Sequence, residues 1–376
     1  IYTMVDTLSL HDALPIFQAI DDEARVEFID LDLRTESDPE AAARAWMDDE
    51  FRGPLDLFAD RLLVSVTLRI ADRRWFWYSR VHHILLDGYG STAFTERVAQ
   101  VYTGRILGIE VQPSRAGSLA DLYADDLAYR SSTRFERDRE HWAGRLADLP
   151  APIRLGNPGA GAPTRSRSVG GDLDQRLLDA VSAFCADNNV TVAAVATAAT
   201  ALYLSRMSGH DDVALSLPVS ARTNALLRRS GGMVSNVVPI RAKIGEHTTV
   251  AEYLAQVAAE LSGALRHQRF RFEDMTRQSD GAVADRGFFG PVVNIMMFRG
   301  ETTLGHSTGR SYVLSTGPID DLAFTVYTGG GDLRIDIEAN ADAYSADDLD
   351  GHHRRLCTVL AALAGQARPV MTLRVG

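Results

Sequence analysis

Cysteine is nearly missing from this chain. Two occur in 376 residues, Cys185 and Cys357, each in a helical apolar context and neither in a metal-type spacing. That scarcity excludes a disulfide framework and a cysteine-rich zinc module, and makes a reducing, cytosolic setting the default expectation. Positive charge is also in short supply: 39 Lys and Arg face 50 Asp and Glu, for a net charge of −11 at pH 7. A balance of that sign argues against nucleic acid and against an anionic membrane as partners. No apolar run reaches the roughly 20 residues that a membrane-spanning helix needs. Solenoid repeats and low-complexity tracts are absent too, so the chain is neither a repeat array nor a disordered tail.

What is present is an ordinary globular composition, 45% hydrophobic and 24% charged. The length exceeds what one hydrophobic core usually serves, so two lobes of mixed α/β structure are expected. Residues 1–16 are set aside: Thr7 to Ile16 resembles a translated frame of a sequencing-adapter oligonucleotide, and the stretch has neither the charge nor the apolar core of a signal peptide. On this reading the native sequence starts near Phe17, with part of its N-terminus missing. The breaker cluster Gly156-Asn157-Pro158-Gly159-Ala160-Gly161-Ala162-Pro163 marks a lobe boundary. An N-terminal lobe over 17–155, a linker over 156–168 and a C-terminal lobe over 169–376 follow.

Alternation predicts strands over Arg25–Leu33, Leu62–Ile70 and Trp75–Val81 in the first lobe. In the second it predicts Val213–Val219, Val237–Ile244, Val292–Phe298, Leu322–Tyr327 and Leu333–Ala339. Helices are expected from Asp38-Pro39, with Asp38 as N-cap, over Tyr89–Tyr102, and over Ser118–Leu149 with a break at Ser131-Ser132-Thr133. Two more run over Asp172–Asn188 and Thr191–Met207, the latter apolar nearly all round and therefore buried. Gly329-Gly330-Gly331-Asp332 reads as a hairpin loop, not a phosphate cradle, because no helix follows it. Trp75, Trp77 and Tyr78 are expected to pack in a core, and His352-His353-Arg354-Arg355 to form the surface face of a C-terminal helix.

One stretch reads as chemistry: His82-His83-Ile84-Leu85-Leu86-Asp87-Gly88. A strand feeding histidine into a short turn can present a neutral base at a sheet end, and Asp87 can curl back to a backbone N–H or a cation. Gly88 permits close approach of a substrate. Two other readings stand beside it. The pair can be one packed and one solvated histidine, or His83 and Asp87 can hold a metal, which needs a third ligand; the next histidine, His141, lies in an ordinary helical Glu140-His141-Trp142 context.

The spelling resembles the HHxxxDG motif of the condensation domains of nonribosomal peptide synthetases, within the acyltransferase superfamily that includes chloramphenicol acetyltransferase. Further segments follow in the family's order. These are Tyr123-Ala124-Asp125-Asp126 through His141-Trp142, Pro218-Val219-Ser220-Ala221-Arg222, and Gly232 to Arg241 with Asn236 and Pro239 at the family's positions. Arg266-His267-Gln268-Arg269-Phe270-Arg271-Phe272-Glu273 matches the "H-Q-x-x-P-F-E" segment with arginine in place of proline, and Phe289-Gly290-Pro291 to Phe298 matches another strand. With Thr316-Gly317-Pro318, the set is similar to the enterobactin-synthase type of the family. Heterocyclisation relatives replace the histidine pair with aspartates, which this chain does not.

The resemblance implies two chloramphenicol-acetyltransferase-like lobes forming a V, with the active site in a tunnel between them. Donor and acceptor carrier proteins enter from opposite sides, bringing thioesters on phosphopantetheine arms; no cofactor belongs to the domain, and an adenylation domain is the expected neighbour. His83 is implied as the catalytic residue, taking the amine's proton or orienting the nucleophile. Asp87 and Arg222 are implied to pair, His82 to shape the turn, and the Gly88 N–H to meet the thioester oxygen. Ser235, Asn236 and Asn294 are assigned to the tunnel wall. The basic run Arg266–Arg271 reads either as a solvated helix end or as a carrier-docking patch. An idle carrier-docking platform and a stand-alone acyltransferase using acyl-coenzyme A are the alternatives.

Overall fold

The computed structural model describes residues 2–5, 17–20, 28–157, 163, 165–278, 289–296, 301–317, 319–329 and 332–365. Compactness divides the chain into two units, Ile1–Ser91 with Gly231–Met233, and Thr92–Ser230 with Val234–Gly376. The segment expected as a linker falls in the span of the second unit, and its residues 158–162 and 164 lie outside the described ones. So does most of the stretch 1–16, of which β1 (Tyr2–Val5) pairs antiparallel with β2 (Phe17–Ile20).

In the first unit β3 (Phe28–Asp32) runs parallel to β4 (Leu63–Ala71), and β4 antiparallel to β5 (Arg74–Val81). The helix α1 (Pro39–Arg52) starts where the sequence says it should: Asp38 Oδ1 accepts the Ala41 N–H at 3.0 Å, and Pro39 occupies the first turn, where its missing N–H costs nothing. Ala43 and Met47 of α1 pack on Val66, Leu68, Ile70 and Tyr78 of the sheet. The expected packing holds for Tyr78 and fails for Trp75. Residue parity puts Trp75 on the opposite strand face, 49% exposed, with the Arg69 guanidinium 5.0 Å from its ring.

The remaining elements are α2 (Gly88–Leu107), α3 (Leu119–Arg130), α4 (Thr133–Leu146), β6 (Ser166–Asp172), α5 (Gln175–Asn188), α6 (Val192–Ser208), β7 (Asp212–Val219), α7 (Ala225–Arg229), β8 (Asn236–Lys243), α8 (Val250–Arg266), α9 (Phe272–Gln278), β9 (Val292–Met296), β10 (Glu301–Leu304), β11 (Ser307–Arg310), β12 (Leu322–Gly329), β13 (Asp332–Asn340) and α10 (Ala346–Ala364). Six of these strands form one mixed sheet in the order β6-β13-β12-β9-β7-β8, with β9 parallel to both neighbours and the other pairings antiparallel. The helix α6 is buried at every residue from 194 to 205, which its all-round apolar sequence requires. Edge strand β8 carries Pro239, and the Gln256 amide of α8 bonds the backbone of Lys243, donating to its oxygen at 2.9 Å and accepting from its nitrogen at 3.2 Å.

Three expectations need correction. Residues 172–174 are not helical: Asp172 ends β6, and Asp174 caps α5 by accepting the Leu177 N–H at 2.9 Å. The strand β6 itself was unexpected, because Ser-Arg-Ser-Val-Gly-Gly-Asp has no apolar alternation and is held by pairing to β13. His352 is not on a surface face. It is 7% exposed on α10, its Nδ1 bonded to the Tyr203 hydroxyl, and burial holds the ring below the usual histidine pKa.

Candidate active site

The histidine turn follows β5 directly, and β5 is braced from α1. Glu50 accepts the Tyr78 hydroxyl at 2.6 Å and pairs with Arg80 at 2.7 Å. Burial alone would raise the Glu50 pKa, but the bonds from Arg80 and Tyr78 outweigh it and hold the carboxyl below its ordinary value. The last residues of the strand are therefore fixed before the chain turns.

His82 closes the turn. Its N–H donates to Leu62 O at 2.8 Å and its carbonyl accepts the Leu85 N–H at 3.0 Å. Its Nδ1 accepts the Ile84 N–H at 3.2 Å, so the neutral ring carries its proton on Nε2. Burial, then the neighbouring His83 and Arg80, lowers its pKa and keeps it neutral. His83, one residue on, is exposed. The two rings thus differ in kind: one is built into the turn and the other is presented to solvent.

Asp87 is buried at 2% exposure and caps α2. Its Oδ1 accepts the Gly90 N–H at 2.8 Å and its carbonyl accepts the Ser91 N–H at 2.8 Å. The first turn of α2 is unusually bare, Gly88-Tyr89-Gly90, and the second glycine has a packing reason. A Cβ on Gly90 would sit 3.1 Å from Gly232 O, 3.2 Å from Leu86 Cδ2 and 3.3 Å from Asp87 Oδ1. The Gly231–Met233 segment lies against this turn as part of the first unit, with Gly232 at φ +86°. The sequence reading gave Gly90 no packing role and missed Glu50. An Asp-Gly-x-Gly spelling is a usable signal for the first, whereas Glu50 carries none.

In the second unit Arg222 is 5% exposed just beyond β7, its Nη1 donating to Ser220 O at 3.3 Å and its Nη2 to Ser230 O at 3.5 Å. Asn236 is committed to backbone: its amide N–H groups donate to Gln268 O at 2.9 Å and Phe270 O at 2.7 Å, and its Oδ1 accepts the Phe272 N–H at 2.9 Å. That assigns Asn236 to holding the 268–272 segment on β8, with both its donors occupied. Ser235 is half-buried, its carbonyl accepting from Arg271 at 3.2 Å. Asn294 stands half-buried on β9 in register with Thr325.

The basic run at 266–271 is largely structural. Arg269 pairs with Asp125 at 2.7 Å and lies 4.3 Å from the Tyr129 ring centre, and Arg271 reaches Val234 O at 3.0 Å. His141 is not in a plain helical setting either. It stacks on His267 at 3.8 Å, and His267 bonds buried Asp138 at 2.7 Å. Among the described residues no group of three or more His, Cys, Asp or Glu is placed to hold a metal ion, and no single helix is long and apolar enough to cross a membrane.

Three kinds of comparison agree with this arrangement. The family model for the Condensation domain matches residues 7–371. The isonitrile lipopeptide synthase of Streptomyces coeruleorubidus is 37% identical over 348 residues, covering 91% of this chain and 24% of that protein. Enterobactin synthase component F of Escherichia coli (strain K12) is 31% identical over 357 residues, covering 93% of this chain and 27% of that protein. The chain therefore spans about a quarter of the length of these curated relatives. Among solved structures, the starter condensation domain of rhizomide synthetase in complex with C8-CoA superposes with a TM-score of 0.89 at 30% identity, over 100% of this chain and 84% of that one. The first condensation domain of the calcium-dependent antibiotic synthetase does so with a TM-score of 0.84 at 31% identity, over 100% and 86%. The chain thus belongs to the Condensation domain family, the amide-forming acyltransferase domains of nonribosomal peptide synthetases.

Proposed function

We propose that the domain joins a carrier-bound acyl, aryl or peptidyl thioester to the α-amine of a carrier-bound aminoacyl acceptor, both on phosphopantetheine arms. The observation that carries this reading is the exposed imidazole of His83, on a turn shaped by the bonds of His82 and Asp87, in a chain of the amide-forming family. The thioester is already activated, so much of the acceleration can come from holding the amine against it. His83 then takes the amine's proton or orients its lone pair, and the Gly88 N–H at the start of α2 meets the developing oxyanion; as the C–N bond forms the thioester C–S bond breaks, and the proton leaves with the donor arm's free thiol.

Asp87 and Arg222, both buried, are support: the first caps the helix beside the histidine, the second supplies a fixed positive charge. Asn294 and Ser235 are assigned to the substrate wall, and Asn236 to positioning. The partners in this reading are the two carrier domains and a neighbouring adenylation domain, and the setting is the cytoplasm.

The test mixes the domain with an aryl- or acyl-loaded donor carrier and an aminoacyl-loaded acceptor carrier, and reads the carriers by intact-protein mass spectrometry. An amide on the acceptor carrier, lost in His83→Ala, is the expected result. Equal product from His83→Ala would end the catalytic assignment. Because the rhizomide starter domain was solved with C8-CoA, a parallel arm offers acyl-coenzyme A alone. Turnover there without carriers would favour a stand-alone acyltransferase.

A further inference from the structure

Beyond β7 the backbone does something costly. Ala221 has φ +51°, in the left-handed region, where a Cβ crowds the following carbonyl. Among the described residues one other non-glycine shares this feature, Asn189, which closes α5, a place where asparagine commonly adopts it. Ala221 closes no helix. It is 2% exposed, and the turn tightens further through the Thr223 N–H bonding Ala221 O at 3.0 Å. Arg222 comes next, and its guanidinium bonds the carbonyls of Ser220 and Ser230. The direction of the Arg222 side chain is therefore set by the peptide that Ala221 strains.

One side chain holds that peptide. Gln268 Oε1 accepts the Ala221 N–H at 2.9 Å, while its Nε2 donates to Leu265 O at 2.7 Å at the end of α8. Gln268 is itself gripped from both sides. Asn236 bonds its carbonyl at 2.9 Å. The preceding His267 is bonded through its ring to Asp138 at 2.7 Å and through its carbonyl to the Trp142 indole N–H at 3.0 Å. A strained backbone persists when its surroundings over-determine it, and this amide is the long-range side-chain contact made by the Ala221 N–H.

We infer that Gln268 is a positioning residue for amide formation: it clamps Ala221 in the left-handed conformation and so aims Arg222. The inference rests on the reading of Arg222 as active-site support. It gives the Asp138–His267–Gln268 string a purpose in the reaction as well as in packing.

The experiment compares wild type, Gln268→Met, Ala221→Gly and the double variant, with Arg222→Ala alongside, in the protein carrying this domain. Glycine adopts the left-handed conformation without a clamp, so it should make Gln268 dispensable. Gln268→Met should cut kcat roughly tenfold to a hundredfold with KM for both loaded carriers nearly unchanged, since a small misplacement is costly to a positioned reaction. In the Ala221→Gly background the same substitution should cost less than about threefold, and its Tm loss should shrink in parallel. Equal fractional losses of rate in the two backgrounds would overturn the clamp, as would a rise in KM at constant kcat. Arg222→Ala at wild-type rate would instead overturn the role of Arg222, and a surviving Tm coupling would show that the clamp holds without it.

Discussion

Two turns, one in each unit, carry the charged and titratable groups proposed for catalysis and its support, and they are built on opposite principles. The turn over 82–90 is short, and the backbone N–H groups of Ile84, Leu85, Gly90 and Ser91 bond to His82 or Asp87 within four residues, while the His82 N–H reaches Leu62 O. It ends in an exposed imidazole and a glycine-rich helix start. The turn over 220–222 is strained and held from 47 residues away by the Gln268 amide, and it ends in a buried guanidinium. A group that must meet substrate needs access, and a local turn provides it without tying up the ring. A group that supplies a fixed charge needs immobility, which distant anchors supply better than neighbours do.

The largest break in this comparison should come from His83→Ala. Loss of a positioned acid–base group typically costs about 10²–10⁴-fold in rate. Because the ring is exposed, Tm should stay within about 2 °C of wild type. A large fall in Tm would move His83 into the class of His82. Asp87 separates cap from charge. Asp87→Asn keeps a good N-cap residue and should hold most of the stability, whereas Asp87→Ala loses about 1 kcal/mol of capping. If asparagine proves as damaging as alanine in a denaturant melt, the buried negative charge matters more than the cap.

Gly90→Ala should be milder in rate and cost about 1–3 kcal/mol of stability, the usual range for overpacking, because the Gly232 carbonyl must retreat by a few tenths of an ångström. A neutral Gly90→Ala would mean that the Gly231–Met233 segment yields freely. The smallest effect is in pH. Burial, then the stacked His267, pushes the His141 ring down to about 4. The unfolded chain therefore binds the extra proton first, and stability contributed by neutral His141 is lost as pH falls from about 6.5 towards 4. His141→Gln should flatten a Tm profile across that window, and an unchanged slope would place the acid sensitivity elsewhere.

Much of the fold could be read from periodicity. The strands β4, β5, β7 and β8, the capped start of α1, and the buried α6 all follow from local pattern, because each has an apolar face with one destination. β6 did not, since Gly170-Gly171 and its serines pair without any local preference for strand. The site divides in the same way. His82, His83, Asp87 and Gly88 are contiguous and visible as a motif, and Arg222 was visible as a family match. The reason Ala221 can be left-handed was not legible, because it depends on Gln268 arriving from the end of another helix. Asn236 is partly legible for a related cause: its motif position is plain, but only the geometry shows that three backbone groups engage its amide.

Pro239 sits on β8, the last strand of the six, with Gln256 bonded across the backbone at Lys243. A sheet edge normally offers a row of open backbone groups to any extended chain, and such edges seed aggregation or capture stray strands. Here a proline withholds one donor and a glutamine amide covers another pair. That makes this border a poor template for a second copy of the chain.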